Sequence, residues 1–310
     1  MPATLLAATA VTAVGDVVVA GTTQFIPTAT SPVGKVFVFD HQGLPKGELL
    51  SRGSQFSNPV FVPGSSDFYV SFNNYVDRIR ADGTLVFESQ PFGIGLSGLA
   101  VTASGLLYAS SSEGPGIMRF DPSGAYLGTI SNDHASESID LAADQCTLFY
   151  VGNFRVGKMN VCTQQVFPPL VALPSLAGDI RILPDGSILV TTFGPMRRYS
   201  QTGILLATYG SNVVGVGLDL DPRFAWIISG VLKPSVTEFT LSRIDLASGN
   251  AVTGPVTIGS TQIGDFLPRG LAVYGEPRAA LAVAIPLLGV RELALLAIAL
   301  AALGLLAIRR

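Results

Sequence analysis

The chain has 310 residues, and 19 Lys and Arg against 22 Asp and Glu leave a net charge of −3. Lys and Arg cluster only at the C-terminus, so the basic patch that nucleic-acid binding requires is missing. With 34 Gly, 20 Pro and short runs of Val, Thr, Phe and Tyr, the composition is that of many strands joined by tight turns.

In chain order the same plan recurs. Residues 11–16 lead to an apolar run at 17–20 and a third strand ending in Asp40-His41-Gln42-Gly43. Residues 59–64, 68–71 and 77–83 repeat it. The clearest unit is 98–105, 106–110, 116–124 and 125–130, read as four strands with turns at Ser104-Gly105 and Asp121 to Gly124. Asp caps such a turn and Gly accepts positive φ. Further copies begin at Ile139, Ile180 and Val216. The turn glycines Gly43, Gly83, Gly124, Gly203 and Gly249 fall at multiples of roughly forty residues, the period of a four-stranded propeller blade. One blade cannot bury both faces alone, so stacking about an axis is the stable solution. The predicted fold is an all-β propeller of six blades over residues 1–276, against a β-sandwich with chance spacing. Gly270 to Gly275 reads as one more inner strand. It either closes the ring beside the N-terminal segment or begins a seventh blade. The repeat style of 11–275 resembles the NHL, SMP-30 and streptogramin-lyase-like propellers.

Cys146 and Cys162 both fall in the fourth unit, in the turn between its first two strands and the turn after its third. In a four-stranded meander those turns lie at one end of the sheet, so a disulfide is predicted, against two unpaired buried cysteines. It suits an oxidising compartment. The Asn160-Val161-Cys162-Thr163 turn lacks the Asp and Gly of its counterparts, and the staple is read as a substitute.

Motifs for chemistry are sparse. No nucleophile elbow, phosphate loop or His-Glu-x-x-His occurs. His41 is read as a solvated turn residue and His134 as part of the link between units three and four. Asp82, Asp144, Asp185 and Asp221 are read as turn caps. Resemblance to SMP-30 and lactonase-type propellers implies a metal over the central channel, held by acidic and amide side chains near strand ends. The matching places hold Asn73, Glu113 and Asn153, which could take Ca²⁺ or Mg²⁺ or simply bond strand ends. The favoured reading has no cofactor and no catalytic residue; the alternative is a metal-dependent hydrolase or lyase.

After a linker at 277–284 comes Ile285-Pro286-Leu287-Leu288, then Leu293 to Ile308 without one polar side chain, then Arg309-Arg310. Leu and Ala make the apolar segment a helix former, and its length of roughly 24 Å approaches a ~30 Å bilayer core. A transmembrane helix with a cytoplasmic basic stop is predicted; the competing reading is a buried C-terminal helix, which would need a core around every face. The three-part order resembles the PEP-CTERM sorting tails of Gram-negative bacteria, and more closely the IPTL-CTERM variant, with Leu287 in place of Thr. That resemblance implies export, anchoring in the inner membrane through 293–308, processing by an exosortase-type membrane protease, and display at or release from the cell surface. A signal peptide is then expected; Met1 to Ala8 is apolar but lacks a basic n-region, so the expectation is that it was removed or precedes this start. The partner would be a surface glycan or protein.

Overall fold

The computed structural model describes residues 13–23, 32–53, 56–92, 94–262 and 265–277. The sorting motif at 285–287, the apolar segment and Arg309-Arg310 lie outside them. Among the described residues there is no helix, and hence none long and apolar enough to cross a membrane.

The described chain forms six antiparallel sheets of four strands each, one of them with an added short strand. Blade 1 holds β1 (Val17–Thr23), β2 (Val33–Phe39) and β3 (Pro45–Gly53). Blade 2 is β4 (Phe56–Phe61), β5 (Phe68–Phe72), β6 (Tyr75–Ile79) and β7 (Leu85–Glu88). Blade 3 is β8 (Leu99–Val101), β9 (Leu107–Ser110), β10 (Pro115–Phe120) and β11 (Tyr126–Ala135). Blade 4 is β12 (Ser138–Leu141), β13 (Thr147–Gly152), β14 (Arg155–Asn160) and β15 (Gln165–Val166), with β16 (Val171–Ala172) also on β14. Blade 5 is β17 (Ala177–Ile182), β18 (Ile188–Thr192), β19 (Met196–Tyr199) and β20 (Leu205–Tyr209). Blade 6 is β21 (Val213–Leu218), β22 (Phe224–Leu232), β23 (Thr237–Asp245) and β24 (Ala251–Ser260). The last strand, β25 (Phe266–Val273), pairs with β1 and is the inner strand of blade 1.

That pairing resolves the alternatives for Gly270 to Gly275: the first and last described strands share one blade, and there are six blades. It also corrects the expected strand at 11–16 over its described part, 13–16. Ala13 to Asp16 is a turn, closed by Asp16 N–H to Ala13 O and tied to Tyr274, with Gly15 at φ 93°. The ladder position beside β1 is taken by the C-terminal strand. A second correction concerns His134, which lies in the extension of β11 to Ala135 rather than in a loop.

The core is a ring of six apolar clusters, each filling the gap between successive blades. Phe68, Val70 and Phe72 meet Val36 and Val38 of blade 1, while Tyr69 of the same strand faces blade 3. The second strand of each blade is therefore covered on both faces, which is why it reads as an apolar run over most of its length.

Turn chemistry follows the aspartates. Asp121 Oδ1 accepts N–H bonds from Ser123 and Ala125, and Asp185 Oδ1 from Ser187, all at 2.9 Å. In blade 4, Asn160 Oδ1 accepts from Cys162 and Thr163, and Gln164 takes the left-handed conformation (φ 61°) that glycine takes elsewhere. Turn capping is thus retained there, and the Cys146–Cys162 disulfide, with Cα atoms 5.2 Å apart, adds to it.

Candidate binding site at the channel mouth

The six inner strands end their ladders at Phe61, Val101, Leu141, Ile182, Leu218 and Val273. Three residues before each stand Asn58, Gly98, Ser138, Asp179, Gly215 and Gly270. These form one level around the axis. A Cβ on Gly270 would lie 2.0 Å from Asn58 Oδ1, and one on Gly98 would lie 2.6 Å from Ser138 Cα. At these two positions the neighbouring inner strands approach so closely that only glycine fits.

Asp179 joins its neighbours at the same level. Its Oδ1 accepts the Ser138 hydroxyl at 2.7 Å and its Oδ2 the Val216 N–H at 3.2 Å. Two residues on, Arg181 donates to Asp179 Oδ1 at 2.9 Å and, through Nη2, to Leu271 O at 3.0 Å. Asp140 Oδ2 accepts the Ile182 N–H. Burial alone would lower the Arg181 pKa; the carboxylates of Asp179, Glu276 and Asp140 reverse this and hold it above its ordinary value. One buried guanidinium thus ties together inner strands of blades 5 and 1, and its carboxylate ties in blades 4 and 6.

One residue before the glycine-rich level, each blade contributes one wall of an open cavity of about 350 Å³: Ser57, Ser97, Glu137, Gly178, Val214 and Arg269. This cavity is at the end of the channel where second strands turn into third strands. Its polar walls come from blades 2 and 3. Its apolar walls come from blades 5 and 6, where Leu176, Phe193 and Phe239 join Val214. Phe193 is 63% exposed. The charged residues belong to blades 1 and 4, which are three places apart in a ring of six and therefore opposite. Glu137 and Arg269 share the cavity without an ion pair between them. Enclosure by the mouth raises the Glu137 carboxyl above its ordinary pKa, and Arg269 opposes the rise. Asn58, 4% exposed, also lines the cavity, and its Oδ1 has no hydrogen-bond partner.

The residues singled out from sequence are distributed more widely. Asn73 and Glu113 line a second polar recess that shares Ser57, Ser97, Glu137 and Arg269 with the mouth. Glu113 accepts the Gly95 N–H at 2.9 Å, and Asn73 O accepts the Leu96 N–H at 2.6 Å. Asn73 and Asn153 occupy equivalent hairpin turns at φ 52° and 48°, and Asn153 lines neither recess. Among the described residues no group of three His, Cys, Asp or Glu is placed to hold a metal ion. His41 sits in an exposed turn at the far end of the channel beside Gln42. Glu137 and Arg269 were not picked out from sequence, although both stand four residues before the last ladder pair of an inner strand.

A closed ring of six four-stranded blades makes the chain a six-bladed β-propeller. No family model and no curated protein matches it. Among solved structures it is similar to a protein of unknown function from Bacteroides caccae, with a TM-score of 0.57 and 12% identity, over 85% of this chain and 100% of that one. At that identity the likeness carries the fold alone.

Proposed function

We propose that the chain is an exported, non-enzymatic β-propeller that binds a partner at its channel mouth and is delivered to the cell surface or the medium by its C-terminal tail. The observation that carries the binding role is the mouth itself. The blades present opposed charges, a polar wall and an apolar wall to one open cavity, above a channel crossed by Arg181. Binding sites are typically concave and part apolar, with a few convergent polar groups. The delivery half rests on the tail sequence, Ile285-Pro286-Leu287, the apolar segment 293–308 and Arg309-Arg310. The last described residue, Pro277, follows β25 at the end of the channel away from the mouth.

The test is retention. Protein released into the medium is mixed with washed producing cells, wild type beside the Glu137→Ala/Arg269→Ala double variant. Both residues are exposed, so the variant is expected to fold. Wild type is expected to be retained and the variant lost; equal retention would contradict the role of the mouth. A second reading, a metal-dependent hydrolase or lyase, draws on the shared recess of Asn73 and Glu113. It expects Ca²⁺ or Mg²⁺ to raise the melting temperature through Glu113.

A further inference from the structure

We infer that the mouth recognises a small amphipathic zwitterion, an α-amino acid with a large apolar side chain; this rests on the reading of the mouth as the binding site. Three features converge. Glu137 and Arg269 stand on opposite blades and face one cavity, so the field across it runs from a guanidinium to a carboxylate. A ligand with a single charge satisfies one wall and leaves the other unpaired. A ligand carrying an ammonium and a carboxylate satisfies both, each through a charge-assisted hydrogen bond.

The second axis of the mouth is set by polarity. On the blade 5 and 6 side, Leu176, Phe193, Val214 and Phe239 form an apolar wall. On the blade 2 and 3 side stand Ser57, Asn58 and Ser97. Charge along one axis and polarity along the other define three distinct contacts for ammonium, carboxylate and side chain. Three contacts in a fixed arrangement distinguish enantiomers. A cavity of about 350 Å³ is at the small end of the range for ligand sites, which suits one amino acid rather than a chain. No bond is made or broken.

The experiment is calorimetric titration of the full-length protein, in mild detergent, with L-phenylalanine, D-phenylalanine, N-acetyl-L-phenylalanine and L-phenylalaninamide. One phenylalanine enantiomer is expected to bind. The acetylated form, which lacks the ammonium, and the amide, which lacks the carboxylate, are expected to bind about tenfold more weakly or worse. In Glu137→Gln the penalty for acetylation disappears; in Arg269→Gln the penalty for amidation disappears. No binding by either enantiomer, or equal binding of all four probes, would overturn the inference. The cell-retention assay separates the two levels. If the probes fail while Glu137→Ala/Arg269→Ala still abolishes retention, the zwitterion is wrong and the mouth stands; if both fail, both are wrong.

Discussion

Arg181 is the most consequential single residue in the channel. It is 6% exposed, Asp179 is 1% exposed, and the two make an ion pair at 2.9 Å. Replacing Arg181 with Met keeps most of the apolar volume but removes the guanidinium. Asp179 then keeps the Ser138 hydroxyl and the Val216 and Ile180 N–H groups, but its charge is buried without a counter-ion. Leu271 O loses a donor as well. Removing one member of a buried ion pair typically costs about 3–5 kcal/mol, most of it the desolvated charge left behind. For a domain of this size that lowers the melting temperature by roughly 10 °C. The assay is urea denaturation of Arg181→Met, Asp179→Asn and the double variant. Asn discharges the site and keeps one acceptor oxygen for the Val216 N–H, and its amide NH2 can donate to the Ser138 hydroxyl oxygen. The double variant is therefore expected to be more stable than Arg181→Met alone, with a coupling energy of about 1–3 kcal/mol. An Arg181→Met variant within about 1 kcal/mol of wild type, or a double variant no better than the single, would refute the claim that a charge pair holds the inner strands together.

Four further outcomes are expected. Asp77, whose side chain is fully buried, pairs with Arg52 at 2.5 Å, yet burial raises its carboxyl to about 6. The native state then holds this proton more tightly than the unfolded chain does. The contribution is whole below about pH 4 and is lost as pH rises through 6, up to about 3 kcal/mol. Wild type should therefore lose stability between about pH 4 and 6 relative to Asp77→Asn, as read by thermal melts; parallel profiles would contradict this. Opening the Cys146–Cys162 disulfide with Cys146→Ser/Cys162→Ser should cost about 3 kcal/mol, measured in denaturant, and leave mouth ligands unaffected because the bridge is at the other end of the channel. Gly270→Ala should lower the melting temperature, because its Cβ would lie 2.8 Å from Asn58 Cα in an inner strand with no room to retreat. Finally, Ca²⁺ and Mg²⁺ are expected to leave the melting temperature unchanged; a rise that Glu113→Gln abolishes would favour the hydrolase reading instead.

The fold was legible because blade turns demand specific residues. Gly43, Gly83, Gly124, Gly203 and Gly249 all have positive φ, and that requirement wrote a period into the chain. The period skipped blade 4 because Gln164 takes the same conformation there without glycine. The inner strand of blade 1 was misplaced at 11–16 because only long-range pairing, not local pattern, assigns β25 to that position. The mouth was not legible for a related reason. Glu137 sits in a polar stretch and Arg269 in the apolar run 266–271, and they face one cavity only once the six inner strands are aligned on their last ladder pairs. Two signals could have pointed to the channel: Asp140 between Ile139 and Leu141, and Arg181 between Ile180 and Ile182, are charges inside apolar strands. The glycines beside them were the complement, since Gly98 and Gly270 leave the space in which neighbouring inner strands meet.

The most direct test of the account is an intact mass of the native protein, before and after reduction, recovered separately from membranes and from culture medium. A surface-delivered binding propeller should appear in the medium cut close to Ile285-Pro286-Leu287, and lighter before reduction by the two hydrogens that the Cys146–Cys162 bond removes. A full-length, fully reduced chain confined to the cell would contradict it.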